Sequence, residues 1–120
     1  MEKNYIMEIA NTIRKQIIAT AGIRNILSWG IDPVGFLAAK FKEMPSLRFK
    51  VNGRLFKGWV LVAYNVMDYY EIWLRDEEGY RQVHPEVYCD EIGSVIGELV
   101  EVGTDPEEYE KWIKENYKFL

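Results

Sequence analysis

Two runs of alternating apolar and polar side chains between residues 58 and 74 predict an antiparallel hairpin at the centre of the fold. A three-residue loop, residues 66–68, would join the two strands. One face of this hairpin is then almost entirely apolar and carries Val60, Val62, Tyr64, Tyr70, Ile72 and Leu74. The other face carries Trp59, Leu61, Ala63, Glu71, Trp73 and Arg75. A two-residue loop would move Glu71 and Arg75 onto the apolar face, so we expect the longer loop.

Apolar residues that recur every three or four positions predict two helices before the hairpin. The first would be capped by Asn4 and end at Gly22, where a positive φ costs little. Its buried stripe would contain Ile6, Ile9, Ala10, Ile13 and Ile17. The second would begin at Asp32-Pro33, an N-cap followed by proline, and end at Pro45. Its apolar face would contain Val34, Leu37, Ala38 and Phe41, and residues 23–31 would form a short buried connection.

Further strands and helices follow from the same patterns. Leu47, Phe49 and Val51 alternate with basic residues, which predicts a strand that turns at Asn52-Gly53 into the hairpin. A fourth strand would cover residues 80–84 and end at Pro85, and residues 87–102 have a helical period with Tyr88 on the buried side. Gly93 and Gly97 in this helix would let a neighbouring backbone approach. A last helix would start at Asp105-Pro106 and bury Tyr109, Trp112, Ile113 and Tyr117.

The predicted order is therefore α-α-β-β-β-β-α-α. Helices and strands that are grouped in this way indicate an α+β fold, in which helices pack on an antiparallel meander of three to four strands. With 120 residues, of which 48% are hydrophobic, we expect one domain covering residues 1–120.

Three segments resemble a group of small proteins found in phages and bacterial mobile elements. The first is residues 12–16 (TIRKQ) followed by residues 18–26 (IATAGIRNI), which is similar to TIxxQ and then a phrase such as IAMTGAKNF. The second is residues 68–74 (DYYEIWL), similar to an Asp-x-Tyr strand, and the third is residues 87–92 (VYCDEI), similar to VYADQL. The resemblance covers about half of the chain. It implies a compact α/β fold and a mobile-element origin, and it implies no activity.

Composition and charge narrow the class of protein further. The net charge is −4 and the pI is near 5.1, so there is no overall attraction to nucleic acid or to an anionic membrane. One cysteine fits a reducing compartment, and no basic start followed by a long apolar run marks a signal peptide. We therefore expect a cytoplasmic protein that does not associate with a membrane.

The distribution of charge suggests one interaction surface. Residues 40–57 contain six basic side chains, Lys40, Lys42, Arg48, Lys50, Arg54 and Lys57, against Glu43 alone. Aromatic residues are interleaved with them, which is a composition used to contact phosphates and stack bases. Alternation, however, sends Arg48 and Phe49 to opposite faces of the strand. The alternative is that the basic region is a solvated face, or pairs with the acidic residues between positions 86 and 110.

A second candidate surface is the Trp59, Leu61 and Trp73 face of the hairpin. If helices cover only the opposite face, these apolar side chains remain exposed, and exposed apolar patches mark interfaces. Either self-association or a further helix would cover them.

Three residues are candidates for a catalytic role by their chemistry: His84, Cys89 and Asp68. Nucleophilic catalysis needs a base held against the nucleophile, and no independent third group accompanies His84 and Cys89. We read Asp68 as a turn-capping residue. We therefore predict no catalytic residues, no cofactor site and no metal site. The sequence indicates a non-enzymatic interaction protein with a protein partner or a second copy of itself; the alternative is a nucleic-acid-binding module.

Overall fold

A computed structural model describes residues 2–102 and residue 111, and these form helices on one face of an antiparallel sheet. Two helices come first, α1 (Glu2–Ala21) and α2 (Ile23–Ser28). Five strands follow: β1 (Leu37–Phe41), β2 (Met44–Asn52), β3 (Lys57–Tyr64), β4 (Tyr70–Asp76) and β5 (Gly79–Val87). A short helix α3 (Ile92–Gly97) continues into a π-helical segment, Glu98–Val102. The predicted last helix, including Asp105, Tyr109, Trp112, Ile113 and Tyr117, lies outside the described residues.

The sheet is a meander in which each strand pairs antiparallel with the next, in the order β1-β2-β3-β4-β5. This confirms the α+β class, but the predicted number of strands was too low by at least one. The central hairpin has the predicted register, because Tyr64 pairs with Tyr70 and the Asn65 nitrogen donates to the Tyr69 oxygen at 3.0 Å. Asp68 completes the three-residue loop with a φ of 68°.

The predicted helix from Asp32 to Pro45 is wrong. Asp32 caps a turn instead, because its side chain accepts a hydrogen bond from the Val34 nitrogen at 3.0 Å and its carbonyl accepts one from Gly35 at 2.8 Å. The chain then extends as β1 and reverses at Lys42 and Glu43, which both have positive φ, 49° and 66°. The apolar spacing that suggested a helix was therefore a short strand flanked by two turns.

The core lies between the sheet and the helices, as the alternation predicted. Ala10, Ile13 and Ile17 of α1 are buried, and Gly22 ends this helix with a φ of 85°. Asn4 lies inside α1, which already begins at Glu2, so Asn4 is not its N-cap. From the sheet, the core contains Leu47, Phe49, Val51, Val60, Val62, Tyr70, Ile72 and Leu74. Trp29, in the segment after α2, adds a ring stacked on Phe49 at 6.2 Å.

Three boundaries in the sheet and after it differ from the prediction. Residues 53–56 form a four-residue loop, so Asn52-Gly53 is not a two-residue turn. β5 continues through Pro85 to Val87, which an edge strand tolerates because one row of its backbone groups is unpaired. The following helix starts only at Ile92, and Tyr88 is 49% exposed rather than buried.

Gly93 lets α3 lie directly against the end of α1, as the sequence suggested for a neighbouring backbone. Its nitrogen donates to the Thr20 hydroxyl at 2.7 Å. A Cβ at Gly93 would lie 2.7 Å from the Ala21 Cβ and closer still to the Ala21 nitrogen. Gly97 does not share this role, because the nearest atoms to a Cβ there belong to the Trp29 ring, at 3.8 Å.

The sheet curls over the face that the helices leave open. Phe41 of β1 lies 5.0 Å, ring centroid to ring centroid, from both Trp73 of β4 and Tyr80 of β5. In a flat sheet three strand spacings would separate β1 from β4 by about 14 Å. The face opposite α1 and α3 is therefore concave, and the tip of the β1–β2 hairpin bends over it.

Candidate nucleic-acid interface

Cationic and aromatic side chains share the concave face, because alternation sends every second residue of each strand there. One row runs in register across four strands: Lys50 on β2 pairs with Trp59 on β3, Trp59 with Arg75 on β4, and Arg75 with Tyr80 on β5. Cations and rings thus alternate from strand to strand. We call the following set the aromatic–cationic face: Phe41, Lys42, Arg48, Lys50, Trp59, Trp73, Arg75 and Tyr80.

Three cations of this face, Lys42, Arg48 and Arg75, lie over its rings. The Arg48 guanidinium carbon is 5.0 Å from the Trp59 ring centroid, and the Arg75 carbon is 5.6 Å from that of Tyr80. The Lys42 ammonium is 5.3 Å from the Trp73 ring centroid. At such distances the ring quadrupole attracts the cation. The contacts hold the cations on the concave surface, where Lys42, Lys50 and Arg75 stay exposed.

Glu71 belongs to the same face, and the oxygens of its carboxylate are occupied. Glu71 Oε1 accepts hydrogen bonds from the Trp73 indole nitrogen at 3.1 Å and from the Gln82 amide at 3.0 Å. Its other oxygen accepts from the Asn65 side chain at 3.0 Å. Glu71 therefore orients the Trp73 indole and forms no ion pair with the four cations of the aromatic–cationic face. The face keeps an excess of positive charge on a chain whose net charge is −4.

The structure separates the six basic residues predicted to contact nucleic acid. Lys42, Arg48 and Lys50 belong to the aromatic–cationic face. Lys40 does not, because it forms ion pairs with Glu2 and Glu43 beside α1, and the hydrogen bonds to Glu2 and Glu43 raise the pKa of its ammonium.

Two of the predicted residues lie beyond the row of rings. The Arg54 side-chain nitrogen Nε donates to the Glu101 carbonyl at 3.0 Å, on the loop between β2 and β3. Lys57 begins β3 and lines a cleft together with Lys50 and Asp32.

Arg75 and Tyr80 belong to the surface although the sequence analysis did not include them in it. The predicted surface was confined to one basic stretch, residues 40–57, whereas the row crosses strands that are distant in sequence. The signal was present in the register: the predicted hairpin already placed Arg75 beside Trp59. Phe49 and Arg48 do take opposite faces as expected, and Trp59, Trp73, Phe41 and Tyr80 provide the rings instead of Phe49.

The predicted Trp59, Leu61 and Trp73 patch has a different form in the structure. Trp59 and Trp73 are half-buried and keep accessible ring surface, whereas Leu61 is 2% exposed. Ala63 and Ser46 are also fully buried on this face. The curled sheet therefore buries the side chains at the centre of the concave face, and the accessible part consists of rings and cations.

The three candidate catalytic residues lie apart from the aromatic–cationic face. His84 is half-buried in β5 opposite Ile72, and Cys89 is exposed after the end of that strand. Asp68 does not cap its turn: Asn65 does, by accepting from the nitrogens of Met67 at 3.0 Å and Tyr69 at 3.1 Å. The Asp68 carboxylate accepts the Tyr64 hydroxyl hydrogen instead.

The described part of the chain contains neither a metal-binding cluster nor a membrane-spanning helix. Within residues 2–102 and 111, no three His, Cys, Asp or Glu side chains are grouped so that they could hold a metal ion. None of the helices in those ranges has the combination of length and apolarity needed to cross a lipid bilayer. Comparisons of the chain with protein-family models, with curated proteins and with solved structures found no match.

Proposed function

We propose that this chain is a small, non-enzymatic interaction protein of mobile-element type, acting in the cytoplasm, whose aromatic–cationic face binds single-stranded nucleic acid. The observation that carries the proposal is the register-matched row Lys50, Trp59, Arg75 and Tyr80. Single strands are bound by cations that follow the phosphates together with rings on which bases stack, and each stacked base contributes about 1–3 kcal/mol. The row supplies both kinds of group in alternation.

A single strand fits this face better than a duplex. In a duplex the bases stack on one another and offer no free π-face to Trp59 or Trp73, whereas the bases of a single strand can turn outward. The concave shape also restricts access, since the Phe41 ring lies above the sheet at one end.

Self-association through the same face is the second candidate, and the accessible rings of Trp59 and Trp73 favour it. A symmetric dimer would bring the same patch of both subunits together. Here that would juxtapose two surfaces that each carry four cations and one carboxylate, and like charges facing each other oppose association. The charge of the face therefore favours an anionic partner over a second copy of the chain.

Fluorescence anisotropy with a labelled dT oligonucleotide tests the proposal. If four cations contact phosphates, the slope of log K against log salt should be about −3, at about −0.7 per contact on a single strand. Lys50→Glu combined with Arg75→Glu should weaken binding by about tenfold or more, because two attractive contacts become repulsive. The matched control is Lys3→Glu with Lys15→Glu, which changes the net charge equally on exposed positions of α1.

Three results would count against the proposal: no binding at low salt, equal weakening by the control pair, or tighter binding to a duplex of the same length. Sedimentation velocity on the native chain and on Trp59→Ser and Trp73→Ser variants tests the second candidate. A native dimer that both substitutions convert to a monomer would favour self-association.

A further inference from the structure

A cavity of about 340 Å³ lies on the helix side of the sheet, away from the aromatic–cationic face. Its walls come from α1, from the ends of β3 and β4 with the loop between them, and from the end of β5 with the residues after it. The three segments that resemble mobile-element proteins meet here: the first supplies Thr12 and Gln16, the second Asp68 and Tyr70, and the third Tyr88. Segments that are separate in sequence thus build one site.

Three tyrosine rings line the cavity. Tyr64 and Tyr70 lie 5.8 Å apart between ring centroids and are tilted by 58°, so they form two inclined walls. Tyr88 is 49% exposed and lies at the mouth. Burial raises the pKa of the Tyr70 phenol to about 12, so this ring is uncharged at neutral pH. Neutral aromatic rings arranged around a space attract a cation through their quadrupoles.

The charge of the cavity has the sign that a cation requires. Among the lining residues that the structure describes, Asp68 is the one charged side chain, and none is a lysine or arginine. Among residues 2–102 and 111, no basic side chain forms an ion pair with Asp68. The Asp68 carboxylate accepts one hydrogen bond, from the Tyr64 hydroxyl, and lies beside the rings.

The hydroxyl groups that line the cavity already donate to protein acceptors. Thr12 donates to the Glu8 carbonyl at 3.1 Å, and Tyr88 donates to the Glu86 carboxylate at 3.0 Å. Tyr64 and Tyr70 donate to Asp68 and Gln16. No lining hydroxyl therefore has a hydrogen left for an anion. A quaternary ammonium has no N–H groups, so it needs no hydrogen-bond acceptors and is suited to a site built of rings and one carboxylate.

We propose that this cavity binds an alkylammonium cation, with Tyr64, Tyr70 and Tyr88 around the cationic group and Asp68 as its counter-ion. The inference is independent of the nucleic-acid proposal, because it concerns other residues on the opposite face of the sheet.

Titration of the native chain with choline, followed by two-dimensional NMR, tests this proposal. Choline should cause saturable shifts of the backbone amides around Asp68 and Tyr88. The neutral isostere 3,3-dimethyl-1-butanol has the same shape without the charge and should bind about tenfold more weakly or not at all. A peptide that contains trimethyllysine, titrated in parallel, distinguishes a free small cation from a protein side chain as the natural source.

Two variants and one control make the test specific. Asp68→Asn should weaken choline binding by about tenfold while it preserves the loop, because asparagine tolerates the positive φ of this position. Tyr88→Leu should also weaken binding, and its exposed position leaves the core intact. The control is Leu27→Ala, which removes an exposed apolar side chain of α2 that does not line the cavity. Absence of a saturable shift, equal binding of the neutral isostere, or full binding by Asp68→Asn would overturn the proposal.

Discussion

Substituting alanine for glycine at two positions of α3 should change stability in opposite directions. Gly93 and Gly97 lie on the same helix, four residues apart, and both are buried. Gly93→Ala would place a methyl group 2.7 Å from the Ala21 Cβ and nearer still to the Thr20 hydroxyl. Gly97→Ala would place it in ordinary van der Waals contact with the Trp29 ring, at 3.8 Å. The chemical change is the same, and only the packing differs.

The size of the difference can be worked out from these contacts. Alanine in a helix is favoured over glycine by up to about 1 kcal/mol, so Gly97→Ala should stabilise the protein by up to that amount. At Gly93 the same gain is opposed by overpacking, about 1–3 kcal/mol. The displaced helix would also lose the hydrogen bond from the Gly93 nitrogen to Thr20, a net contribution of about 1 kcal/mol. The two variants should therefore differ by about 2–4 kcal/mol in the free energy of unfolding.

Urea denaturation followed by circular dichroism measures this difference directly. We expect the Gly93→Ala midpoint below, and the Gly97→Ala midpoint above, that of the native chain. The slopes should stay similar, because neither substitution changes the area exposed on unfolding. Equal stability of the two variants would mean that α3 does not lie against the end of α1 at Gly93.

Two other predictions concern stability. Burial raises the pKa of the Glu101 carboxyl, and the hydrogen bond from the Arg54 nitrogen opposes this shift. Because the pKa is higher in the folded state, the free energy of unfolding should fall as the pH rises from the unfolded-state pKa through the folded-state pKa. Glu101→Gln should remove this loss, so its urea midpoint should rise relative to that of the native chain as the pH increases above about 4, and parallel curves would contradict the assignment. Glu43→Gly should stabilise the protein by up to about 1 kcal/mol, because glycine adopts the positive φ of 66° without strain. The exposed ion pair with Lys40 that is lost contributes little. Thermal unfolding measures the change, and a lower melting temperature would argue against this turn.

The alternation of residues was enough to predict the centre of the fold. Val60 and Val62 had to face the core together with Ile72, and only one loop length allowed this without burying Glu71. The Ile13 and Ile17 stripe was equally clear, since a period of three to four residues has few readings other than a helix. These features could be predicted because each one repeats a pattern several times.

The first strand could not be predicted, because it is short and its signals are ambiguous. Asp32-Pro33 can begin either a helix or a turn, and local sequence does not separate the two. The hairpin at Lys42 and Glu43 lacks the asparagine and glycine that announce positive φ. The pairing of β1 with β2 determines the outcome, and that pairing is a tertiary interaction.

The candidate surface was predicted in part for a similar reason. Lys42, Arg48 and Lys50 lie in one stretch of sequence, and the excess of basic residues in that stretch was enough to predict them. Arg75 and Tyr80 join them only through strand pairing, and the curvature that brings Phe41 over Trp73 follows from no local pattern. A surface that is built across four strands becomes visible once their register is known.

The indole N–H resonances of the tryptophans report directly on whether the aromatic–cationic face binds nucleic acid. In a titration of the native chain with a dT oligonucleotide, the signals of Trp59 and Trp73 should shift as bases stack on their rings. The signal of Trp29 should stay in place, because this residue is 1% exposed within the core. Single Trp→Phe variants assign the signals. If the Trp59 and Trp73 resonances keep their positions while the oligonucleotide binds, the aromatic–cationic face is not the binding surface.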